Sequence, residues 1–380
     1  MVIKEFLRWI GSAPVEKRAE ATGTLARAWL HSDMNAEELG AAEAALTVML
    51  DDPSPIVREA MALVFATEVT APQHIVLSLA HDVHMVSVPI LQGSPVLLES
   101  ELVDLVATGD MMTQCAIAAR RLPSAAVSAA IAEVGDRRAC TVLIKNINAK
   151  ATKNSLLRIA ERFGDDPEVR EGLLSQPGIP IEVRQLIVHK MSEELANLPA
   201  LQFEALGGKG QHFAGEAKDR ITIQLAAHAT DIEIEALIEH LRCSGQLTPT
   251  LLLRALCSGN LFFIEVALAS LSGLPALKVQ AVLSHGSAGA ITAVLKKAAL
   301  PQSSLQAFVL AVDVFREIDV EQFEPTANPD FARRLITGVL SKLRGNGSGA
   351  HDQLLGLLRR FEAEAAREAA RYYVADELAA

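Results

Sequence analysis

The chain has 380 residues, 50% of them apolar and only 4% aromatic. So much Ala, Leu, Val and Ile excludes a disordered or fibrous chain, and the scarcity of rings argues against an antiparallel β protein. The net charge of -11 makes the chain as a whole a poor binder of nucleic acid or anionic membrane, because neutralising phosphate takes Lys and Arg.

Residues 1–50 read as two or three N-terminal capping helices, among them AEELGAAEAALTVML (36–50). Lys4, Glu5 and Arg8 interrupt the apolar stretch at the start, which argues against a signal peptide. From residue 51 to 191 the signal is repetition. Asp52, Asp82, Asp110, Asp136 and Asp165 recur at spacings of 30, 28, 26 and 29 residues. Each opens a helical apolar period, a short break and a second helical period, so the unit is a helical hairpin of about 28 residues. Three openings are Gly-Asp: Gly109-Asp110, Gly135-Asp136 and Gly164-Asp165. The expectation is a left-handed Gly closing one helix and an Asp capping the next. Ser54-Pro55, Asp166-Pro167, Thr248-Pro249 and Asn328-Pro329 read as a cap followed by Pro in the first turn. Single hairpins cannot bury their apolar faces alone, so they must stack into an α-solenoid.

The pattern loosens after Met191, and 192–219 is the expected connecting segment. Helices resume at 220–242, 249–258, 260–272, 275–284, 287–299, 302–317 and 329–343, a C-terminal helical region spanning 220–343. RGNGSGA (344–350) reads as a flexible joint, and 351–380 as one long helix. Its stripe Leu354, Leu358, Phe361, Ala365 and Tyr372 suits packing on the body, with homodimerisation as the alternative. The longest uncharged run, between Lys278 and Lys296, contains Ser284, His285, Gly286, Ser287 and Gly289, so it reads as a turn between buried helices. It is not a membrane span.

The segments SVPILQGSPVLLESELVDLV (87–106), CAIAARR (115–121) and LIKNINAKATKNSLLRIAERFGDDPEVREGLL (143–174) resemble an uncharacterised alphaproteobacterial family, domain of unknown function 2336. LLRALCSGNLFFIEVALASLSGLP (252–275) is similar to that family's C-terminal signature, and the resemblance spans roughly residues 30–320. It implies an all-α, HEAT-like protein. It implies no reaction, cofactor or catalytic residue.

Residues that could carry chemistry have bland explanations. His74, His81, Asp82 and His84 have the spacing of a partial cation site, but no second motif completes it. His240, Cys243 and Cys257 lack a fourth zinc ligand. Gly207-Gly208-Lys209-Gly210 lacks the Ser or Thr of a phosphate loop. The four Cys, at 115, 140, 243 and 257, form no CxxC pair and read as reduced, core-filling thiols of a cytoplasmic protein. No metal, cofactor or catalytic residue is expected.

One feature rises above this background. Residues 120–162 hold nine bases and three acids, a local +6 in a remainder of -17. Arg120, Arg121, Arg137, Arg138, Lys145, Asn146, Asn148, Lys150 and Lys153 are therefore the candidate binding residues. Arg120, Arg121, Lys145 and Asn146 fall at matching repeat offsets, on one expected edge. The reading is a non-enzymatic helical-repeat scaffold of bacterial signalling or regulation that binds a protein partner. The alternative is a receptor for a small anionic ligand such as a nucleotide at 120–153. A nucleic-acid-acting HEAT-like enzyme is disfavoured by the net acidity and the few rings for stacking.

Overall fold

The computed structural model describes residues 8–198, 209–318, 329–345 and 352–379. Every regular element among them is a helix. None is long and apolar enough to cross a membrane. The chain divides into two compact units between Ile179 and Pro180.

The first unit contains α1 (Val15–His31), α2 (Ala36–Met49), α3 (Pro55–Phe65), α4 (Gln73–Ala80), α5 (His84–Gly93) and α6 (Glu99–Thr108). It continues with α7 (Met111–Ala118), α8 (Ala125–Val134), α9 (Arg137–Lys145), α10 (Lys153–Phe163) and α11 (Pro167–Leu174). Helices pack on the next but one. α1, α3, α5, α7, α9 and α11 form one row, each against its predecessor, and α6, α8 and α10 form a second. The helices are short, so each buries a narrow apolar stripe: Val57, Met61 and Phe65 on α3, Val86 and Ile90 on α5, Ala139, Cys140 and Leu143 on α9. Full burial of a Val, Leu, Ile, Phe or Met side chain contributes roughly 1.5–3 kcal/mol, and α3 finds its cover largely on α1 and α5 of its own row. Large rings are few, and Trp29 meets Phe65 edge-on at 6.1 Å.

The expected junctions are present but work differently. Gly109, at φ -80°, and Gly135, at φ -65°, are not left-handed. Glycine is needed there for space. A Cβ on Gly109 would lie 2.5 Å from the Leu105 carbonyl oxygen and 2.5 Å from Thr113 Cγ2. One on Gly135 would lie 2.5 Å from the Ile131 oxygen. Asp110 and Asp136 do cap their helices, accepting from the Thr113 and Arg138 amides. At the fifth junction the cap is Asp166 rather than Asp165, and it accepts from the Glu168 and Val169 amides. Ser54 holds the cap position of α3 without a side-chain bond, and Thr248 caps its Pro-initiated helix by accepting from the Leu251 amide.

The junction aspartates also tie successive units. Arg18 on α1 donates to both oxygens of Asp52 at 2.8 and 2.9 Å. Arg58 on α3 reaches Asp82 at 2.7 Å. His84 on α5 lies 2.8 Å from Asp110. Gln114 on α7 accepts from the Asp136 amide at 2.8 Å. Arg137 on α9 lies 3.1 Å from Asp166. Each first-row helix from α1 to α9, bar the hairpin partners between, thus reaches forward to the start of the next first-row helix.

The second unit contains α12 (Ile181–Ala196), α13 (Lys209–Ala227), α14 (Asp231–Cys243), α15 (Pro249–Cys257) and α16 (Leu261–Ser272). It closes with α17 (Ala276–His285), α18 (Ala288–Lys297), α19 (Gln302–Glu317), α20 (Pro329–Gly345) and α21 (Asp352–Ala379). It is organised around α15, whose residues 251–257 are all buried and which packs on α13, α16, α19 and α20. α21 lies on α20 and sends Leu358, Phe361 and Ala365 into the common core. These three residues of the expected stripe pack on the body, and the side chains of Leu354 and Tyr372 lie outside the described residues.

Three boundaries move. The unit division precedes the expected connecting segment 192–219, because α12 packs against α13 and α14 and so belongs with the second unit. The expected helix 220–242 breaks at 228–230, where Thr230 and Glu233 form a reciprocal capping box. Of the expected joint 344–350, α20 takes Arg344 and Gly345, and the rest lies outside the described residues. Asn328 also lies outside them.

A candidate partner-binding edge

The candidate edge is built from the turns that join the two rows. The turn after α7 carries Arg120, Arg121 and Leu122, and the turn after α9 carries Asn146 to Ala151. They are laced together. Asn146 donates to the Ala118 and Arg120 carbonyls at 3.0 and 2.7 Å, and the Lys150 amide donates to the Pro123 carbonyl at 3.1 Å. Ser124 and Thr152 cap the helices that leave these turns, accepting from the Val127 and Ser155 amides.

A groove of about 590 Å³ opens beside the second turn. Leu143, Ile144, Ile147, Gly172 and Pro177 supply its apolar lining, with Lys145, Glu168, Glu171, Ser175 and Gln176 among the polar residues. Its floor depends on Gly172 of α11, whose added Cβ would stand 3.1 Å from Ile144. Gln176 donates to the Ile144 carbonyl at 2.8 Å and holds the end of α9 in place. Ile147 is 93% exposed at the rim, and Leu122 in the neighbouring turn is 64% exposed. Ile147 alternates with the polar Asn146 and Asn148 in a turn, so helical periodicity gave no signal for it.

The structure divides the nine candidates. Arg120 donates to the Leu91 and Ser94 carbonyls at 2.6 Å each, closing the end of α5, and its burial pulls the guanidinium below its ordinary range. Arg137 pairs with Asp166 at 3.1 Å and lies 3.7 Å from Glu168. Lys145 pairs with Glu168 at 2.6 Å. Arg138 points back toward α7, 3.9 Å from Met111 Sδ. Lys153 starts α10. Arg121, Asn148 and Lys150 are exposed on the laced turns, and Arg121 and Lys150 have no side-chain partner among the described residues. Two further bases of the charged window are also engaged. Arg158 pairs with Glu133 and Glu161, and Arg162 donates to the Ala132 and Gly135 carbonyls.

The local +6 thus overstates the free charge. Asp166 and Glu168, which neutralise Arg137 and Lys145, lie just beyond residue 162. A window of one whole further junction would have contained them.

The other clusters are dispersed. His74 faces Thr47 and Glu43, His81 bonds the Leu77 carbonyl, Asp82 holds Arg58, and His84 holds Asp110. Cys257 is buried in the second core, where desolvation pushes its thiol up to about 12. Cys140 is likewise buried and pushed up to about 11. Cys243 departs from the core-filling reading: it is exposed at the end of α14 and donates to Glu239. Lys209 and Gly210 of the glycine-rich stretch begin α13, and Gly207 and Gly208 lie outside the described residues. Among the described residues no three His, Cys, Asp or Glu side chains are placed to hold a metal ion.

No curated protein and no solved structure matches the chain. A family model does, over residues 86–345. That stretch includes the laced turns, the groove and the second unit as far as α20, so the chain belongs to the family described as an uncharacterised protein conserved in bacteria, DUF2336.

Proposed function

We propose that the protein is a non-enzymatic cytoplasmic scaffold whose first unit is a HEAT-like solenoid, and that it binds a protein partner at the groove beside α9 and α11. The observation that carries this reading is Ile147, 93% exposed at the rim of an apolar groove of about 590 Å³. An isolated exposed side chain is ordinary, whereas one placed beside a concave apolar floor resembles the rim of an interface. The row packing of α1 to α11 supports the solenoid, because stacked units leave a continuous lateral surface. The carboxylates that stood out in sequence serve as caps and ties, which leaves them no acid–base task. A nucleotide receptor is disfavoured because Arg120, Arg137, Lys145 and Asn146 already have partners and no aromatic residue lines the groove.

The test is photo-crosslinking in the native cytoplasm from a benzophenone side chain placed at Ile147 and, as a control, at the exposed Ile232 of α14. A discrete protein adduct confined to position 147 is the expected result. Adducts equal at both positions, or at neither, would reject the reading.

A further inference from the structure

We propose that the groove takes an extended acidic–apolar segment of the partner, with one apolar side chain on the floor and a carboxylate at Arg121 and Lys150. The inference rests on the protein-partner reading and adds the chemistry of the occupant.

The floor sets the apolar requirement. Leu143 and Ile144 are buried within the unit, Gly172 lets α11 approach Ile144 closely, and Ile147 walls one side. The polar atoms beside this floor are largely engaged: Gln176 bonds the Ile144 carbonyl, and Asn146 bonds two carbonyls of the preceding turn. A polar group seated there would find few partners, and an unsatisfied buried polar group is costly. An apolar side chain is therefore selected.

Charge selects what flanks it. Lys150 lies between Ala149 and Ala151, both of which line the groove. Arg121 projects from the turn that Asn146 and the Lys150 amide bind. Neither base has a partner among the described residues, unlike Arg137, Lys145 and Arg158. In a chain of net charge -11, two unpaired bases on linked turns attract a carboxylate and steer its approach. The helix ends do not cancel this attraction. Arg120 closes the end of α5 and Asn146 closes the end of α7, while α8 and α10 begin at the same edge with their positive ends. At the other lip stands Glu171, exposed and unpaired among the described residues. It repels a carboxylate there, so the acids of the segment turn toward Lys150 and away from α11.

An extended segment fits better than a helix. In an extended chain the acids flanking the apolar side chain face away from the floor, toward the solvent side on which the exposed Arg121 and Lys150 stand. In a helix neighbouring residues turn by about 100°, so acids on both sides of the anchor would lie on opposite flanks rather than together on the face turned from the floor.

The experiment uses the full chain and three fluorescent twelve-residue peptides read by anisotropy at low and moderate salt. One alternates Asp or Glu with Leu, the second replaces each acid by Lys, and the third replaces each Leu by Ser. The first is expected to bind. Charge reversal at the two free bases, Arg121→Glu with Lys150→Glu, is expected to weaken it about tenfold and to favour the Lys peptide instead. Ile147→Ser is expected to weaken the acidic–apolar peptide without restoring the Ser peptide. Equal binding of the first and third peptides would show charge attraction alone and overturn the proposal. So would affinity unchanged by charge reversal, or no binding of any peptide. A crosslinked partner at position 147 whose capture survives charge reversal would overturn the acidic occupant while leaving the partner reading intact. Absence of any adduct would remove both.

Discussion

The two units bury similar apolar side chains by different plans. In the first, the helices of the two rows pack mainly against their row neighbours, with further contacts across the hairpins. Ionic ties recur at four of the five junctions, and most are partly exposed: Arg58 and Asp82 side chains are both 14% accessible. In the second, one helix is surrounded. α15 carries Arg254 into the core with only 5% of its surface exposed. Its guanidinium bonds Glu364 and stacks 4.1 Å over the Phe361 ring. Two of its nitrogens, Nε and Nη2, have no hydrogen-bond partner among the described residues. A repeated plan spreads its electrostatic support over many weak sites. A central plan concentrates it.

The largest test of that contrast is Arg254→Ala. It leaves Glu364 facing an emptied apolar site and removes the stack on Phe361, and the expected cost is about 3–5 kcal/mol. Hydrogen exchange should show lost protection spread over α13, α15, α19, α20 and α21. Loss confined to α21 would contradict the central plan. Next comes Gly109→Ala, where the new methyl meets the Leu105 carbonyl and Thr113, at an expected cost of about 2–3 kcal/mol. Gly40→Ala, with open space around it, should be neutral or stabilising.

pH separates Asp219 of the second unit from Asp52 of the first by sign. Burial raises Asp219 of α13 to about 6. Its folded form keeps a proton that the unfolded chain releases near pH 4, so its contribution is full below that and is lost as pH rises toward 6. Asp219→Asn should therefore stabilise the protein at pH 7, by about 1–2 kcal/mol, and the gain should vanish near pH 4. Asp52 is the opposite. Hydrogen bonds from Arg18 hold its carboxyl below the ordinary range despite partial burial. Its stabilisation is present above about pH 4 and is lost as pH falls through the depressed value. Denaturant midpoints of Asp52→Asn against wild type should converge only in acid. Convergence at neutral pH would mean that the tie contributes nothing. The smallest effect belongs to Ile147→Ser, expected within about 0.5 kcal/mol of wild type, because its side chain meets solvent.

Much of the first unit was legible from residue order. Period and punctuation lie close together in sequence, so the Asp spacing and the Gly-Asp pairs marked real junctions. What the junction glycines do was not legible, because a close approach between Gly109 and the Leu105 carbonyl involves a crowded turn rather than a residue preference. The site was half legible. Basic residues were visible as composition, but whether a base is free depends on partners a whole unit away, as Lys145 and Glu168 show. Ile147 carried no signal at all. An isoleucine in a turn is conspicuous only once its exposure is known. In the second unit the break at Thr230 was missed because the capping box sits inside a continuous apolar period.

The forward-reaching ties have a consequence for how the array can change length. Arg18, Arg58, His84 and Arg137 all find a carboxylate at the same place, the threshold of the next first-row helix. These contacts are interchangeable in register. Excision of residues 82–109 would bring Asp110 to the position that Asp82 holds, within reach of Arg58, and duplication would simply add a rung. The ties would keep their spacing only if the first unit gained or lost whole hairpins.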